Sequence, residues 1–501
     1  MSPLGNAVVA GAGRFIVLTK DMEVKDTLAS FPDAKSIILW KPVQSGKTSD
    51  VLKLAEVFYK TSAMIFISDK NTSLAGQTNG RARVLGFEVV NYRDDIKLGK
   101  FIRESVGKKR ILHLLMEVNN LEKLESLLDV LEDTPVTIVI DEADKSRNTE
   151  AANKKKTKSK TSVLQEVDED EDDDEEVIEK ADGSMLPPVT LLLLQIKNMV
   201  KERENSRTIF VSATPAAVLT AEKDNWLVLY KEPYQNYVGV GIDHPAQIHM
   251  NNHITENSCK ARDRWTGNER DIKTNTFYHS LSFGVDQFCK APNRSDDEIT
   301  QVMLVSLENR KLQQFKMSQV VCDQIRESGF AGKVSVVVFN SDTKESSEVT
   351  LASLILQEKL RGFSKVIIIA GFMAARGVSF TDFSDKDNQF ELILQVHYTK
   401  KDFPLNSSMQ NMRLFGPARR TVSRPALICN SWAAQDVSVN FAESYRIIKE
   451  LAENGFATQG AYNPQRPLTQ PYNFRYLKQG WVRERFIYPS TNEADHLPIV
   501  P

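Results

Sequence analysis

Short apolar runs rich in Val and Ile recur along this chain, and stretches of helical periodicity separate them. One set comprises Ser36–Trp40, Met64–Ile67, Val136–Ile140 and Thr208–Val211; a later set comprises Val302–Val305, Val334–Phe339, Lys365–Ile369, Leu392–Leu394 and Pro425–Ile428. The apolar residues are consecutive rather than alternating, which is the pattern of strands covered on both faces, as in parallel sheets between helical layers. Between the runs, helical spacing puts Val51, Leu54, Ala55 and Phe58 on one face. Strand–helix alternation in two blocks predicts two doubly wound α/β domains. The expected organisation is a first domain over 1–215, an accessory or bridging segment over 216–300, a second domain over 301–440 and a C-terminal extension over 441–501.

A length of 501 residues accommodates two or three domains, and 41% apolar content suits a globular chain. No run of eighteen apolar residues occurs, so no membrane span is expected. Met1–Ala10 lacks the basic start and apolar stretch of a signal peptide. Cys259, Cys289, Cys322 and Cys429 are scattered without a CxxC, which argues against a disulfide framework or a closed zinc site. The expectation is an intracellular protein, cytoplasmic or nuclear rather than secreted. Charge is distributed unevenly. Glu166–Glu179 holds eleven acidic residues and no basic one, so a whole-chain charge of −2 leaves the remainder at +9, a balance that attracts polyanions. With a lysine cluster at Lys154–Lys160, this tract lies in a stretch, 148–185, too poor in apolar groups to offset the entropy of ordering; it is predicted to be a disordered insertion.

Chemistry first shows at Lys41–Thr48, KPVQSGKT, between a predicted strand and a predicted helix. A phosphate-binding loop requires that context. Gly46 lets backbone approach an anion, and Gln44, Ser45 and the amides at the helix start line the loop. Lys47 offers counter-charge to β- and γ-phosphates, and Thr48 a hydroxyl ligand for Mg2+. Lys41 stands where the consensus has its first glycine. The run Val136–Ile140 then leads into Asp141-Glu142-Ala143-Asp144. Asp141, at a strand's C-terminal end, can hold the magnesium ion, and Glu142 can orient or deprotonate an attacking water. One acid ending a strand is commonly a surface cap; two acids downstream of a GKT loop are better explained by ATP chemistry.

A third element, Ser212-Ala213-Thr214-Pro215, again ends an apolar run. With it the sequence resembles superfamily 2 helicases and translocases, in which GKT, DEAD and SAT elements occur in this order. The resemblance implies two RecA-like domains and a role for Ser212 and Thr214 in coupling ATP hydrolysis to nucleic-acid movement. Gly371–Phe380 resembles motif V, whose glycine-containing loop meets ATP and the nucleic-acid backbone; Gly377 and Arg376 take those positions. Gln410–Arg420 resembles motif VI, which supplies an arginine finger to the γ-phosphate. Met412 replaces a glycine that could precede Arg413, so Arg413, Arg419 and Arg420 are all finger candidates. No glutamine precedes Gln44, and the adenine-reading glutamine of DEAD-box RNA helicases is therefore missing. A narrower resemblance joins QSGKT, Gln77-Thr78 with Arg81, IDEAD, SATP, Tyr237-Val238-Gly239, ARGVSF and Gln410-x-x-Arg413-x-Phe415-Gly416 in the order of the Z-one family of DEAD-type ATPases, over roughly residues 36 to 430. It implies nucleic-acid contacts at Gln77, Thr78, Arg81 and Arg376.

Other signals are weaker. His244, His249, His253 and Cys259 lack zinc-ligand spacing and read as surface residues. Gly11-Ala12-Gly13 lacks the third glycine of a dinucleotide loop and reads as a turn. Six aromatics between Tyr472 and Tyr488 interleave with Arg475, Lys478, Arg483 and Arg485, a composition suited to stacking on bases or to docking on the chain's own surface.

Three functions fit. One is an ATP-dependent helicase or translocase that couples hydrolysis in an interdomain cleft to movement on nucleic acid, with DNA the expected substrate. Another is a duplex-DNA translocase without strand separation, serving a nuclease, defence or packaging complex. The last is a slow ATP-dependent switch or scaffold. Protein partners would use the acidic insertion or the C-terminal extension. If the acidic tract competes with nucleic acid for the basic remainder, deleting Glu166–Glu179 tightens DNA binding at low salt, with the gain shrinking as salt rises. Filter-binding or anisotropy titrations across a salt series check this; identical affinities throughout would make the tract a passive loop.

Overall fold

The computed structural model describes residues 14–19, 21–69, 72–91, 98–131, 133–141, 178–179, 185–186, 188–215, 218–219, 226–234, 236–240, 249–254, 276–292, 299–306, 311–340, 350–371, 378–382, 387–397, 405–417, 420–421, 425–430, 437 and 441–454. The predicted insertion at 148–185 lies outside them except for a two-stranded pairing of 178–179 with 185–186, and the C-terminal aromatic segment and Gly11–Gly13 lie outside them entirely. The chain divides into two units: residues 1–41, 47–231 and 450–465 form the first, and residues 42–46, 232–449 and 466–501 the second.

The first unit runs β1 (Arg14–Leu18), α1 (Val24–Ala29), β2 (Ser36–Trp40), α2 (Lys47–Phe58), β3 (Ala63–Ser68), α3 (Thr72–Val84), β4 (Glu88–Asn91), α4 (Leu98–Ser105), β5 (Arg110–Leu115), α5 (Val118–Val130), β6 (Val136–Asp141), the short strands β7 (Ile178–Glu179) and β8 (Met185–Leu186), α6 (Pro188–Lys201), β9 (Arg207–Ser212) and β10 (Leu227–Lys231). Eight of these strands form one sheet in the order β1-β10-β2-β9-β6-β3-β5-β4. Every pairing is parallel. Alternate strand residues Ile37, Leu39, Met64, Phe66, Ile209 and Val211 pack with Val51, Leu54, Ala55 and Phe58 of α2 and with Val24 and Leu28 of α1. On the opposite face Phe210 meets the Trp226 ring edge-on at 5.0 Å, and Lys197 of α6 lies 4.5 Å over that indole. Helices thus cover both faces, as the consecutive apolar runs require.

The second unit continues β11 (Tyr237–Val238), β12 (His249–Ile254), α7 (Thr276–Lys290), β13 (Thr300–Ser306), α8 (Lys311–Glu327), β14 (Val334–Phe339), α9 (Leu351–Leu360), β15 (Lys365–Ala370), β16 (Phe390–His397), α10 (Leu405–Asn411), β17 (Gly416–Pro417) and β18 (Ala426–Asn430), followed by α11 (Phe441–Asn454), which belongs to this unit as far as Lys449. Six strands form a second parallel sheet, β12-β18-β16-β13-β15-β14. Leu281, Val285 and Phe288 of α7 and Met317, Val321 and Ile325 of α8 bury one face of it against Met303, Val305, Ile367, Ile369 and Val396. The buried Lys365, at the start of β15, donates from Nζ to the carbonyls of Phe288, Cys289 and Ala291, so a cation closes the carbonyl end of α7. Burial lowers its pKa to about 8.

The two doubly wound α/β units match the expected fold class, and no helix among the described residues is long and apolar enough to cross a membrane. The fit of α7 on its sheet depends on Gly284. A methyl group there would come within 2.7 Å of Val396 Cγ2 and 3.1 Å of Ile428 Cδ1. Replacing a mid-helix glycine by alanine normally gains about 1 kcal/mol, but overpacking a tight core costs about 1–3 kcal/mol. Gly284→Ala is therefore expected to lower stability by about 1 kcal/mol or more, which urea denaturation would measure; a stabilised variant would show that α7 is free to shift.

Candidate nucleotide-binding site

Parallel pairing brings the strands that lead into the three sequence motifs to end at one edge of the first sheet. β9 lies between β2 and β6, with Trp40 in register with Ser212 and Asp141 with Val211. The loop after β2, the SAT turn after β9 and the acid that ends β6 therefore leave adjacent strands at the same end, each about 4.8 Å from the next. The strand carrying the SAT element thus separates the loop strand from the acid strand. Lys41 N–H donates to the Ser212 carbonyl at 3.3 Å, and Trp40 Nε1 to the Ala213 carbonyl at 3.2 Å, tying the loop's start to the SAT turn.

The loop itself is bent by two left-handed residues, Gln44 at φ 56° and Gly46 at φ 86°. For Gly46 this conformation costs nothing special; for Gln44 it costs about 1 kcal/mol or more. The Ser45 hydroxyl donates to the Pro42 carbonyl at 2.7 Å, closing the turn. Lys47 opens α2, and Lys47, Thr48 and Asp141 are half-buried, leaving the helix start within reach of solvent. Unpaired N–H groups at a helix start favour anions. Thr48 and Asp141 offer hard oxygen ligands of the kind Mg2+ prefers. The residues present therefore fit a magnesium nucleotide.

Lys41 shows how the loop manages without the consensus first glycine. Its side chain is 1% exposed and its ammonium pairs with the carboxylate of Asp50, on the first turn of α2. Burial lowers the lysine pKa, and Asp50 opposes that shift. Ser212 and Thr214 are both buried, and the Ser212 hydroxyl accepts the Thr214 N–H at 3.0 Å, which shapes the SAT turn. In α3, Thr78 is buried and Arg81 exposed. The neighbouring Asn79 joins a polar chain: its side chain meets His113 Nδ1 and donates to Asn91 Oδ1 at 2.8 Å, while His113 Nε2 meets the Ser68 hydroxyl at 2.8 Å. Burial lowers the His113 pKa to about 4, so the chain is neutral at physiological pH.

In the second unit, Arg413 is 3% exposed and its guanidinium donates to the carbonyls of Gln410, at 2.8 Å, and Val378. It thereby joins the two segments that resemble motifs VI and V. Gln395 is the hub of this turn. Its Oε1 accepts the Arg413 N–H at 3.0 Å and the Leu414 N–H at 3.3 Å; its Nε2 donates to the Asn411 carbonyl and the Ser306 hydroxyl, each at 2.9 Å. The buried Glu391 accepts the N–H groups of Arg420, at 2.8 Å, and Thr421, at 2.7 Å. The Arg420 side chain is exposed and donates to Gln389 at 3.2 Å. Glu142, Arg376, Gly377 and Arg419 lie outside the described residues, as do His244 and Cys259. Of Gln77, His249 and His253 the structure describes only the backbone, in α3 and β12. Sequence reasoning passed over Asp50, Gln395 and Glu391. The available signal for the last two is their isolation as polar residues within the apolar run Phe390–His397.

No protein-family model and no curated protein matches the chain. Solved structures do resemble it at low identity. The ATP-dependent Type ISP restriction-modification enzyme LlaBIII bound to DNA is 11% identical at a TM-score of 0.45, over 81% of this chain. This chain spans about a quarter of that enzyme's length, 27%. S. cerevisiae Dbp5 bound to RNA and ADP BeF3 is 12% identical at 0.41, over 90% of each chain. A DEAD box protein from the hyperthermophile Methanococcus jannaschii is 12% identical at 0.41, over 85% of this chain and 90% of its own. The fold rests on the strand order, not on these scores.

The Lys41–Asp50 pair makes a direct prediction. Removing one partner of a buried ion pair strands the other charge, at a cost of about 3–5 kcal/mol, whereas replacing both by apolar groups is often neutral. Asp50→Asn should therefore destabilise the chain strongly, and Lys41→Met with Asp50→Leu should recover most of the loss in a thermal or urea melt. Equal stability of Asp50→Asn and the native chain would show that the pair contributes nothing.

Proposed function

We propose that the chain is an ATP hydrolase of the superfamily 2 type, of the Z-one kind, that couples hydrolysis to movement on nucleic acid, with DNA the preferred substrate. The observation that supports this reading is the adjacency of β2, β9 and β6, which gathers the GKT loop, the SAT turn and Asp141 at one sheet edge. Bound magnesium ATP supplies a γ-phosphoryl group that water can attack. Lys47 would give the phosphates a counter-charge, the helix-start amides would donate to them, and Thr48 and Asp141 would hold the metal. Glu142 orients or deprotonates the water. Ser212 and Thr214 transmit the state of the site, and Gln77, Thr78, Arg81 and Arg376 belong to the nucleic-acid path. One arginine of Arg413, Arg419 and Arg420 stabilises charge in the transition state. Arg413 has carbonyl partners in its own unit, so for it this role requires an exchange of those partners.

Side-by-side turnover assays with single-stranded DNA, duplex DNA and RNA test the proposal, with strand displacement separating helicase from translocase. Stimulation by none of the three would favour the switch or scaffold function. Lys47→Ala should lose nucleotide affinity, and Glu142→Gln should keep affinity and trap ATP, each with turnover down by about 10²-fold or more. Near-native hydrolysis in either variant would sink the assignment.

A further inference from the structure

We infer that Tyr237 is a positioning residue for the phosphate loop: its hydroxyl holds the Val43 carbonyl and so fixes the left-handed turn at Gln44. What the loop holds rests on the nucleotide reading above; how it is held rests on geometry.

Residues 42–46 belong to the second unit, with Tyr237. The Tyr237 side chain is buried at 5% exposure, and a buried phenol requires a partner. It donates to the Val43 carbonyl at 2.8 Å. That carbonyl lies in the peptide plane whose other end is the Gln44 nitrogen. Holding the oxygen therefore restrains rotation at Gln44, the non-glycine residue with φ 56°. Strained backbone persists only where surrounding groups over-determine it. Here they do so from both sides, because Gln44 Nε2 also donates to the Met412 carbonyl at 3.2 Å.

The segment carrying Tyr237 is itself fixed. Its N–H donates to the Tyr234 carbonyl at 2.9 Å, and β11 pairs antiparallel with β17, Tyr237 opposite Pro417 and Val238 opposite Gly416. The tyrosine ring folds back over Gly239, at φ 153°, where a Cβ would sit 2.6 Å from Tyr237 Cζ. Glycine is thus the residue that admits the ring. The Tyr234 hydroxyl stands against Gly46, and no side chain fits at that position without displacing it. Two tyrosines and a glycine, which carry none of the chemistry of hydrolysis, form a strap that sets the loop's shape.

Tyr237→Phe removes one hydroxyl and keeps the ring; Gly239→Ala displaces the ring. Both are made in the full chain and read in two ways. Amide hydrogen exchange of residues 44–48 without nucleotide should quicken about five-fold in each variant. Affinity for a fluorescent ATP analogue and KM for ATP should weaken by about five-fold, while kcat at saturation stays within about two-fold; in Tyr237→Phe, which adds no clash, Tm stays within about 2 °C. Unchanged exchange in Tyr237→Phe would overturn the strap, as would lost kcat with unchanged KM, or a loss of affinity matched by a collapse in Tm. Faster exchange in a chain whose native form binds no nucleotide would leave the strap standing and remove the ATP reading instead.

Discussion

Parallel pairing forces all strands of a sheet to end at one edge, and everything proposed for this chain depends on that constraint. In the first unit, β2, β9 and β6 are neighbours in the sheet although 170 residues of chain separate the beginning of β2 from the beginning of β9. Register then decides which residues meet at the edge. Trp40 lies opposite Ser212, and Asp141 opposite Val211, so loop, turn and acid emerge at one level. A one-residue slip would turn each strand's side chains to the other face, where they would no longer fit the helices packed there.

The loops at such an edge lack a ladder of their own, and buried polar groups do the fixing. Lys41 with Asp50 and Gln395 with its four partners sit where irregular backbone leaves a strand, and Glu391 with Arg420 and Thr421 does the same work where backbone enters one. Such groups specify one arrangement because the alternative leaves a desolvated charge or amide without a partner. Neutral His113 does the same for α3, through Asn79 and Ser68. Its depressed pKa means that the unfolded chain takes up the proton first as pH falls from 6.5 toward about 4; the contribution to stability is present above that window and lost within it.

Most strands were legible in the sequence because burial on both faces leaves consecutive apolar residues: the nine predicted runs fall on strands, Pro425 alone lying just before one, while the central β5, broken by His113, was not among them. Edge strands were less so. β4, Glu88–Asn91, and β12, His249–Ile254, carry polar residues because one side of each has no strand neighbour. β10, Leu227–Lys231, has an apolar run but follows Pro215 at a distance and completes the first sheet from within the stretch read as a bridge. Of the site, the motif residues were visible, since GKT, DEAD and SAT are local patterns. Their supports were not. Asp50 is one more acid in a helix, and its role depends on Lys41 nine residues earlier; Gln395 serves a turn sixteen to nineteen residues onward. Nothing local distinguishes Asp50 from a solvated acid, and the isolation of Gln395 in an apolar run signals burial without naming its partners.

At two positions where the resemblance drawn from the sequence has glycine, this chain has a larger residue. Lys41 replaces a glycine at the start of the phosphate loop, and Met412 replaces one before Arg413. Glycine at either place would leave backbone free and rely on other contacts to restrain it. Lys41 instead sends a long side chain into a buried ion pair with the first turn of α2, so the loop's start is tied to the helix it feeds. Met412 is fully buried, and its carbonyl accepts the Gln44 amide. Lys41 thus anchors the loop's start through its side chain, whereas Met412 contributes only its backbone carbonyl to Gln44, the residue with φ 56°. A loop held this way arrives preformed. A ligand that meets a preformed loop loses little free energy to ordering its backbone.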